Sequence, residues 1–250
     1  MNKKAEARIA PIALVIFLVI VWQICCVVFN VSEHLLPSPL AIAKAFKTDF
    51  FTALLPDAWT SIKIMLAGYL IAVPLGFVIA GLVSQSKFLT RMFLPILIIL
   101  MMIPMATLVP EFKLFLGVKP SLKILVIILQ CTPVIAVNSL SGFTHVPQNK
   151  KDLMMGYGCG KAELFFRVVV PNALPQIFTG LKLGCILCVI AEMSADMSVG
   201  QGGLGYRISR SATFNATSVA FAGIICAAVI GVLFYMLVNV IEGLVIRWKK

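Results

Sequence analysis

The chain has 250 residues, of which 60% are apolar and 12% are charged, and its mean hydropathy is +1.02. These values exclude a water-soluble globular protein, and the apolar content also excludes a disordered or collagen-like chain. The formal net charge of +11 is compatible with nucleic acid, anionic lipid or cytoplasmic loops as its cause, but the cations form short clusters beside apolar runs. We therefore interpret the chain as an integral protein of a lipid bilayer that binds no nucleic acid.

Six apolar runs are long enough to cross the hydrocarbon layer, which takes about 20 helical residues. They are residues 9–29, 61–83, 92–109, 122–140, 173–195 and 219–246. The predicted fold class is an all-α membrane protein, a polytopic bundle of about six transmembrane helices in a single domain spanning residues 1–250. Pro74, Pro95, Pro104 and Pro133 lie inside these runs, and each is expected to kink its helix.

The first run follows Lys3, Lys4 and Arg8, so a signal peptide is an alternative to a transmembrane helix. The run is longer than the apolar part of a usual signal peptide, and no small-x-small cleavage pattern follows it. We interpret it as an uncleaved first helix. With the N-terminus inside, twelve Lys and Arg residues fall in the inner connections and six in the outer ones, which predicts that both termini are cytoplasmic.

The longest inner connection, residues 141–172, is polar and basic. Loops of this length are usually functional. Its apolar positions and its glycines predict a short helix, a turn around residues 158–160 and a second helical piece. An amphipathic helix that merely rests on the membrane surface is the alternative.

Few ionisable residues lie inside the runs. Lys63, Lys123 and Lys182 are expected to extend towards the headgroups. Glu192 is either paired or hydrated inside the bundle, or exposed at a helix end.

Several patterns resemble chemical sites without their usual context. Gly200, Gly202 and Gly205 match a dinucleotide fingerprint, but no strand precedes them, so a tightly turned outer loop is expected. Cys185 and Cys188 form a C-x-x-C without a second pair, and all seven cysteines are expected to be free thiols. The sequence has no phosphate-binding loop and no nucleophile with a base at a recognisable spacing. We therefore expect no enzyme activity, no cofactor and no metal site in this chain.

The long inner loop carries a family pattern. Asp152-Leu153-Met154, three residues, Gly158, nine residues and then Val168-Val169-Val170-Pro171 resemble the E-A-A-x3-G-x9-I-x-L-P motif of ABC-importer permeases. The spacing agrees throughout, although Asp replaces Glu and Leu and Met replace the two Ala. Further segments, including Leu36-Pro37-Ser38-Pro39 and Gly203-Leu204-Gly205-Tyr206, resemble the nitrate/sulfonate/taurine branch of that family, so the resemblance extends from about residue 36 to the end.

This resemblance implies a permease subunit of the bacterial inner membrane that pairs with a second copy. Two separate ATPase subunits would bind the ATP, and an extracytoplasmic binding protein would deliver the solute. The residues implied in ATPase coupling are Asp152, Leu153, Met154, Gly158 and Pro171. Asp152 is expected in the first turn of the coupling helix, Gly158 is expected to allow close approach, and Pro171 is expected to fix the return into the fifth run.

The outer loops and the solute path are less sharply defined. Residues 196–215 and 33–57 are candidate docking surfaces for the binding protein. Candidate path residues are Met101, Met102, Pro104, Glu192 and Met193. The expected solute is a small anion such as nitrate, a sulfonate or taurine. Alternatives are a pyrimidine of the thiamine-precursor type, or a stand-alone ion-coupled carrier, which would bury more ionisable groups at the membrane midplane.

Overall fold

The computed structural model describes the backbone of residues 3–246 and the side chains of residues 13–246. In this part of the chain all regular structure is helical, as predicted. The helices are α1 Lys3–Val28, α2 Pro39–Asp49, α3 Leu55–Val83, α4 Lys87–Met102, α5 Met105–Leu116, α6 Pro120–Thr144, α7 Gln148–Gly156, α8 Lys161–Leu164, α9 Val170–Val199, α10 Leu204–Thr213 and α11 Thr217–Val245. The basic residues predicted to flank the membrane at both termini lie outside the described side chains.

Two π-helical turns lengthen the helices. Phe50–Leu54 joins α2 to α3, and Phe165–Val169 joins α8 to α9. The joined segments, Pro39–Val83 and Lys161–Val199, therefore run without a break for 45 and 39 residues. Both are longer than a membrane crossing needs, so each extends beyond the hydrocarbon layer or lies tilted within it.

Four described segments are long and apolar enough to cross a membrane, and they contain most of the second, fourth, fifth and sixth predicted spans. They are Pro39–Val83, Pro120–Thr144, Lys161–Val199 and Thr217–Val245. The first predicted span corresponds to α1, whose described apolar part is the shorter helix Ala13–Val28. The third predicted span is the pair α4 and α5, which makes a fifth crossing if the two helices are taken together.

The kink expected at Pro104 in the run at residues 92–109 is a full break between two helices, since α4 and α5 meet at an angle of 87°. Ile103, before Pro104, is extended with ψ of 119°, which is the conformation that a following proline imposes. Pro74, Pro95 and Pro133 instead remain inside α3, α4 and α6. Four prolines that look alike in the sequence thus have different effects.

Helix α6 is the centre of the bundle, packed between α3 and α9. Glycines make this close packing possible. A Cβ atom on Gly68 of α3 would lie 2.7 Å from Ile127, and one on Gly180 of α9 would lie 2.7 Å from Asn138. Since both distances are too short for real atoms, these positions require glycine, as expected for small residues at helix interfaces in membranes.

The packing leaves two ends of the bundle with distinct polar structure. One end carries α7 and the turn after it, and we call it the α7 end. The other carries the start of α6, the end of α9 and α10, and we call it the Lys123 end. The described helices between the two ends are mainly apolar, so candidate functional groups concentrate at these ends.

Candidate functional site

The predicted coupling residues fall on two elements at the α7 end. Asp152, Leu153 and Met154 lie on α7, Gly158 lies in the turn after it, and Pro171 is the second residue of α9. The expected helix, turn and second helical piece are all present. The position expected for Asp152 is wrong, because α7 begins at Gln148 and no acidic residue lies in its first turn. The Asp152 carboxylate instead accepts a hydrogen bond of 2.8 Å from the Gln148 side chain, one turn earlier.

Gly158 ends α7 in a Schellman turn. Its N–H donates to Met155 O at 2.9 Å, and the N–H of Cys159 donates to Met154 O at 3.2 Å, which is the paired pattern of that turn. Gly158 has φ of +79°, and a Cβ atom there would meet nothing within 4 Å. Within this chain the glycine is therefore required by its left-handed backbone and not by close approach. Close approach of a partner to Gly158 stays a prediction.

Pro171 has a different setting from the one expected. It lies inside the unbroken helical segment Lys161–Val199, ten residues after the start of that segment. Its role in fixing the return into the fifth run stays a prediction. The π-helical turn Phe165–Val169 directly precedes it, and Val170 N–H donates to Phe165 O. Proline cannot donate a backbone hydrogen bond, and widened turns of this kind relieve the resulting strain.

Helix α7 is fastened to the bundle on one side and open on the other. The Lys150 amine donates to Asn172 Oδ1 at 2.6 Å, and Asn172 donates to Val168 O at 2.7 Å. Met154 packs against the apolar cluster that includes Phe143 and Val169. On the open side Leu153 and Tyr157 are 62% and 78% exposed. A helix anchored on one side, with an apolar exposed face clear of the transmembrane core, is suited to docking on another protein.

The Lys123 end contains a buried ion pair that sequence reasoning missed. Lys123 Nζ lies 2.5 Å from Asp196 Oδ1, and the two side chains are 2% and 0% exposed. The amine also donates to the carbonyl oxygens of Gln201 at 3.0 Å and Gly202 at 3.1 Å. The expectation that Lys123 extends to the headgroups is therefore wrong. The amine is satisfied inside the protein by one carboxylate and two carbonyls, which offsets the cost of its desolvation.

The same carboxylate organises the glycine-rich loop at residues 200–205. Ser61 donates to Asp196 Oδ2 at 3.2 Å and accepts from Leu204 N at 3.0 Å. Gly203 has φ of +97°, and a Cβ atom there would overlap the Asp196 carboxylate. The turned loop predicted from the glycines is present. Its structure explains why residue 203 is a glycine, because the backbone there approaches Asp196 closely in a left-handed conformation.

A second ion pair extends this network towards the surface. Arg207 Nε lies 2.7 Å from Asp57 Oδ2, and Asp57 Oδ1 accepts from Gly203 N at 3.4 Å. Residues 33–57 and 196–215, predicted separately as docking segments, also meet elsewhere. His34 Nδ1 lies 3.1 Å from Asn215 O, and Thr217 donates to His34 O at 3.0 Å. Tertiary structure therefore joins the two segments into one surface.

Glu192 lies inside the bundle, with 0% exposure, which decides against exposure at a helix end. Asp196 one turn later and Ser61 are its neighbours. Neither carboxylate oxygen of Glu192 accepts a hydrogen bond from a group in residues 13–246. Glu192 and Asp196 are four residues apart on α9, a spacing that places them on one helix face. Two acids four residues apart in an apolar run, together with Lys123 in a neighbouring run, are the sequence pattern that could have predicted this buried polar site.

The other predicted path residues fall on two elements. Met102 is 75% exposed at the bend between α4 and α5, where Met101 and Pro104 flank the break. Met193 lies on α9 and packs partly buried against the cluster that contains Leu204. Their role in a solute path stays a prediction.

The cysteines are all free thiols, as expected, and five of the seven are buried. Cys188 of the C-x-x-C donates weakly to Met65 O at 3.5 Å inside the apolar core. Among the described residues, no group of three or more His, Cys, Asp or Glu side chains is arranged to hold a metal ion.

Lys182 is tied to the last helix by polar contacts, and its expected extension towards the headgroups stays a prediction. It forms an ion pair with Glu242 and donates to Asn239 Oδ1 at 2.6 Å. Both partners lie on α11, so this contact ties α9 to the last helix.

The fold is similar to that of a chain in an inward-facing conformation of the MetNI methionine ABC transporter. The TM-score is 0.64 at 18% sequence identity, covering 79% of this chain and 98% of the other. At this identity the match concerns the fold alone.

Sequence comparisons identify relatives over nearly the whole chain. The formylaminopyrimidine transport permease protein ThiX of Halalkalibacterium halodurans is 28% identical and covers 99% of both chains. A permease protein for aliphatic sulfonates, SsuC of Escherichia coli, is 28% identical over 99% of this chain and 94% of its own. The nitrate import permease protein NrtB of Synechocystis is 27% identical, and the match covers 95% of this chain and 89% of NrtB.

A family model also matches residues 72–248, more than two thirds of the chain and including α7, its turn and the Lys123 end. The matching family is described as the binding-protein-dependent transport system inner membrane component. The chain is embedded in a membrane, belongs to this family, and is a permease subunit of an ABC importer.

Proposed function

We propose that two copies of this chain form the translocation path of an importer in the bacterial inner membrane, driven by two separate ATPase subunits that bind the ATP. The observation that carries this proposal is α7, fastened by Lys150 and Asn172 and presenting Leu153 and Tyr157. Closure of the ATPases on ATP must be converted into movement of the helices, and a rigid element attached directly to α9 transmits such a movement.

The α7 end faces the cytoplasm in this proposal, as do both termini. The two-to-one excess of cations predicted on that side supports this orientation. The Lys123 end then faces outwards and receives the binding protein. The contact of His34 with Asn215 supports a single receiving surface, because it joins the two segments predicted to dock that protein.

The solute that we propose is a small anion of the nitrate, sulfonate or taurine type. The printed names of relatives such as SsuC, NrtB and TauC support this class. A pyrimidine of the thiamine-precursor type is the second candidate, favoured by ThiX, which matches 99% of both chains.

Coupling is tested by expressing the tagged chain with its neighbouring genes and purifying it in mild detergent. An ATPase is expected to co-purify in equal amount. Gly158→Leu is expected to abolish this association, because a leucine at this φ costs about 1–2 kcal/mol and shifts the turn that ends α7. Gly160→Leu is the matched control. Gly160 also meets nothing within 4 Å but has an ordinary φ of −71°. Absence of any ATPase from a well-folded wild-type chain would contradict the proposal.

The solute is tested with the complete transporter in lipid vesicles, supplied with ATP inside and binding protein outside. Uptake of labelled nitrate, taurine, an alkanesulfonate and formylaminopyrimidine is measured in parallel. Uptake of one of the three anions supports the leading class. ATP-dependent uptake of the pyrimidine alone supports the second candidate.

A further inference from the structure

A cavity of about 660 Å³ opens beside α7, on the flank of the bundle. The end of α3, the end of α6, and the segment from α7 to the π-helical turn before α9 enclose it. Its polar lining consists of Ser84, Gln85, Lys151 and Lys161, and the rest is mainly apolar. Nothing in the coupling or ion-pair networks described above uses this space.

The cationic edge of the cavity carries charge without a matching acid. Lys151 and Lys161 both line it, whereas no Asp or Glu among residues 13–246 belongs to its lining. The nearest acids along the chain, Asp152 and Glu163, already have partners. Asp152 accepts from the Gln148 side chain at 2.8 Å, and Glu163 is paired with Arg167 at 3.0 Å. The edge is therefore suited to an anion that brings its own negative charge.

The apolar wall of the cavity continues onto the lateral surface of the bundle. Phe77, Val78 and Leu82 come from the last two turns of α3, and Val78 and Leu82 are 53% and 59% exposed. Helix α3 ends at Val83, and the polar Ser84 and Gln85 follow it. The apolar wall thus lies where a membrane-crossing helix leaves the hydrocarbon, and the lysines lie at the level of the headgroups.

We propose that this cavity binds an anionic phospholipid. The phosphate of its headgroup contacts Lys151 and Lys161, and one acyl chain lies along Phe77, Val78 and Leu82. A soluble anion would not use the apolar wall, and an ATPase docking on the exposed face of α7 would not need a cavity open towards the hydrocarbon. The bound lipid connects α3 with α7 and α8 and so stabilises α7 against the bundle. This proposal depends on membrane embedding and holds for any transported solute.

The test is native mass spectrometry of the full chain, purified in detergent and titrated with phosphatidylglycerol or phosphatidylcholine. Phosphatidylglycerol is expected to bind more tightly. Lys151→Gln with Lys161→Gln is expected to weaken that binding about 25-fold at low salt, roughly five-fold for each lysine. The matched control is Lys87→Gln with Arg91→Gln, which removes two exposed cations outside the cavity lining and is expected to leave the affinity unchanged.

A second variant tests whether an acyl chain of the lipid occupies the apolar wall of the cavity. A Cβ atom on Gly81 would lie at an ordinary 3.5 Å from Phe165, so Gly81→Leu extends into the cavity while both lysines remain. It is expected to weaken phosphatidylglycerol binding. Equal affinity for both lipids, or displacement by millimolar inorganic phosphate with no effect of Gly81→Leu, would overturn the proposal. So would loss of the ATPase in the lysine variant with unchanged lipid binding.

Discussion

The amine of Lys123 lies 2.5 Å from a carboxylate oxygen of Asp196, with the two side chains 2% and 0% exposed. Lys123 lies in the first turn of α6 and Asp196 in the last turn of α9, so this pair joins two closely packed helices of the bundle at one end. Through the carbonyls of Gln201 and Gly202 it also fixes the loop that leads into α10.

Replacing Lys123 with Met is expected to destabilise the protein strongly, because Asp196 would remain buried without its cation. Breaking one side of such a pair costs about 3–5 kcal/mol. Thermal unfolding in detergent measures the effect. Lys119→Met, at an exposed lysine just before α6, is the control and is expected to change little. Lys123→Met combined with Asp196→Asn is expected to recover part of the loss, and a double variant no more stable than Lys123→Met would argue against the ion pair as the cause.

Gly203 and Gly202 provide a matched pair in the loop. Both have positive φ, but only a Cβ atom on Gly203 would overlap Asp196, whereas one on Gly202 meets nothing within 4 Å. Gly202→Ala is expected to cost about 1–2 kcal/mol from its backbone conformation alone. Gly203→Ala is expected to cost clearly more and to increase protease cleavage of the loop. Equal melting temperatures for the two variants would show that the Asp196 carboxylate moves away at little cost.

The exposed apolar face of α7 predicts an effect on ATPase binding that depends on position. Leu153→Glu is expected to abolish co-purification of the ATPase, because a charge would be buried in the interface without a partner. Phe214 is 72% exposed at the opposite end of the bundle. Phe214→Glu is expected to retain the ATPase and to weaken capture of the binding protein. The reverse pattern would show that the proposed orientation of the chain is wrong.

The contact of α3 with α6 predicts a steric effect at Gly68. Gly68→Ala would place a Cβ atom 2.7 Å from Ile127, and overpacking of this kind costs about 1–3 kcal/mol. Gly243→Ala in α11 is the control, since a Cβ atom there meets nothing within 4 Å and alanine favours the helix. The melting temperature in detergent is expected to fall for the first variant and to stay level or rise for the second.

The length and composition of the apolar runs determined the membrane class and most of the helices, because the bilayer demands about 20 apolar helical residues per crossing. The helix and turn at residues 148–160 also followed from local patterns. These features depend on neighbouring residues in the chain, so they are visible in the sequence. The spacing of residues 152–171 pointed to the family for the same reason.

Residues of one type in similar sequence positions have different environments in the structure, and only tertiary structure decided these environments. Lys63 and Lys123 both lie near the start of an apolar run, yet Lys63 is exposed beside the ring of Trp59, while Lys123 is buried against Asp196. Pro104 breaks its helix and Pro133 does not. Lys123 is buried where a distant carboxylate and two loop carbonyls meet it, and Pro133 lies in a helix packed between α3 and α9. Both conditions depend on residues far away in the chain.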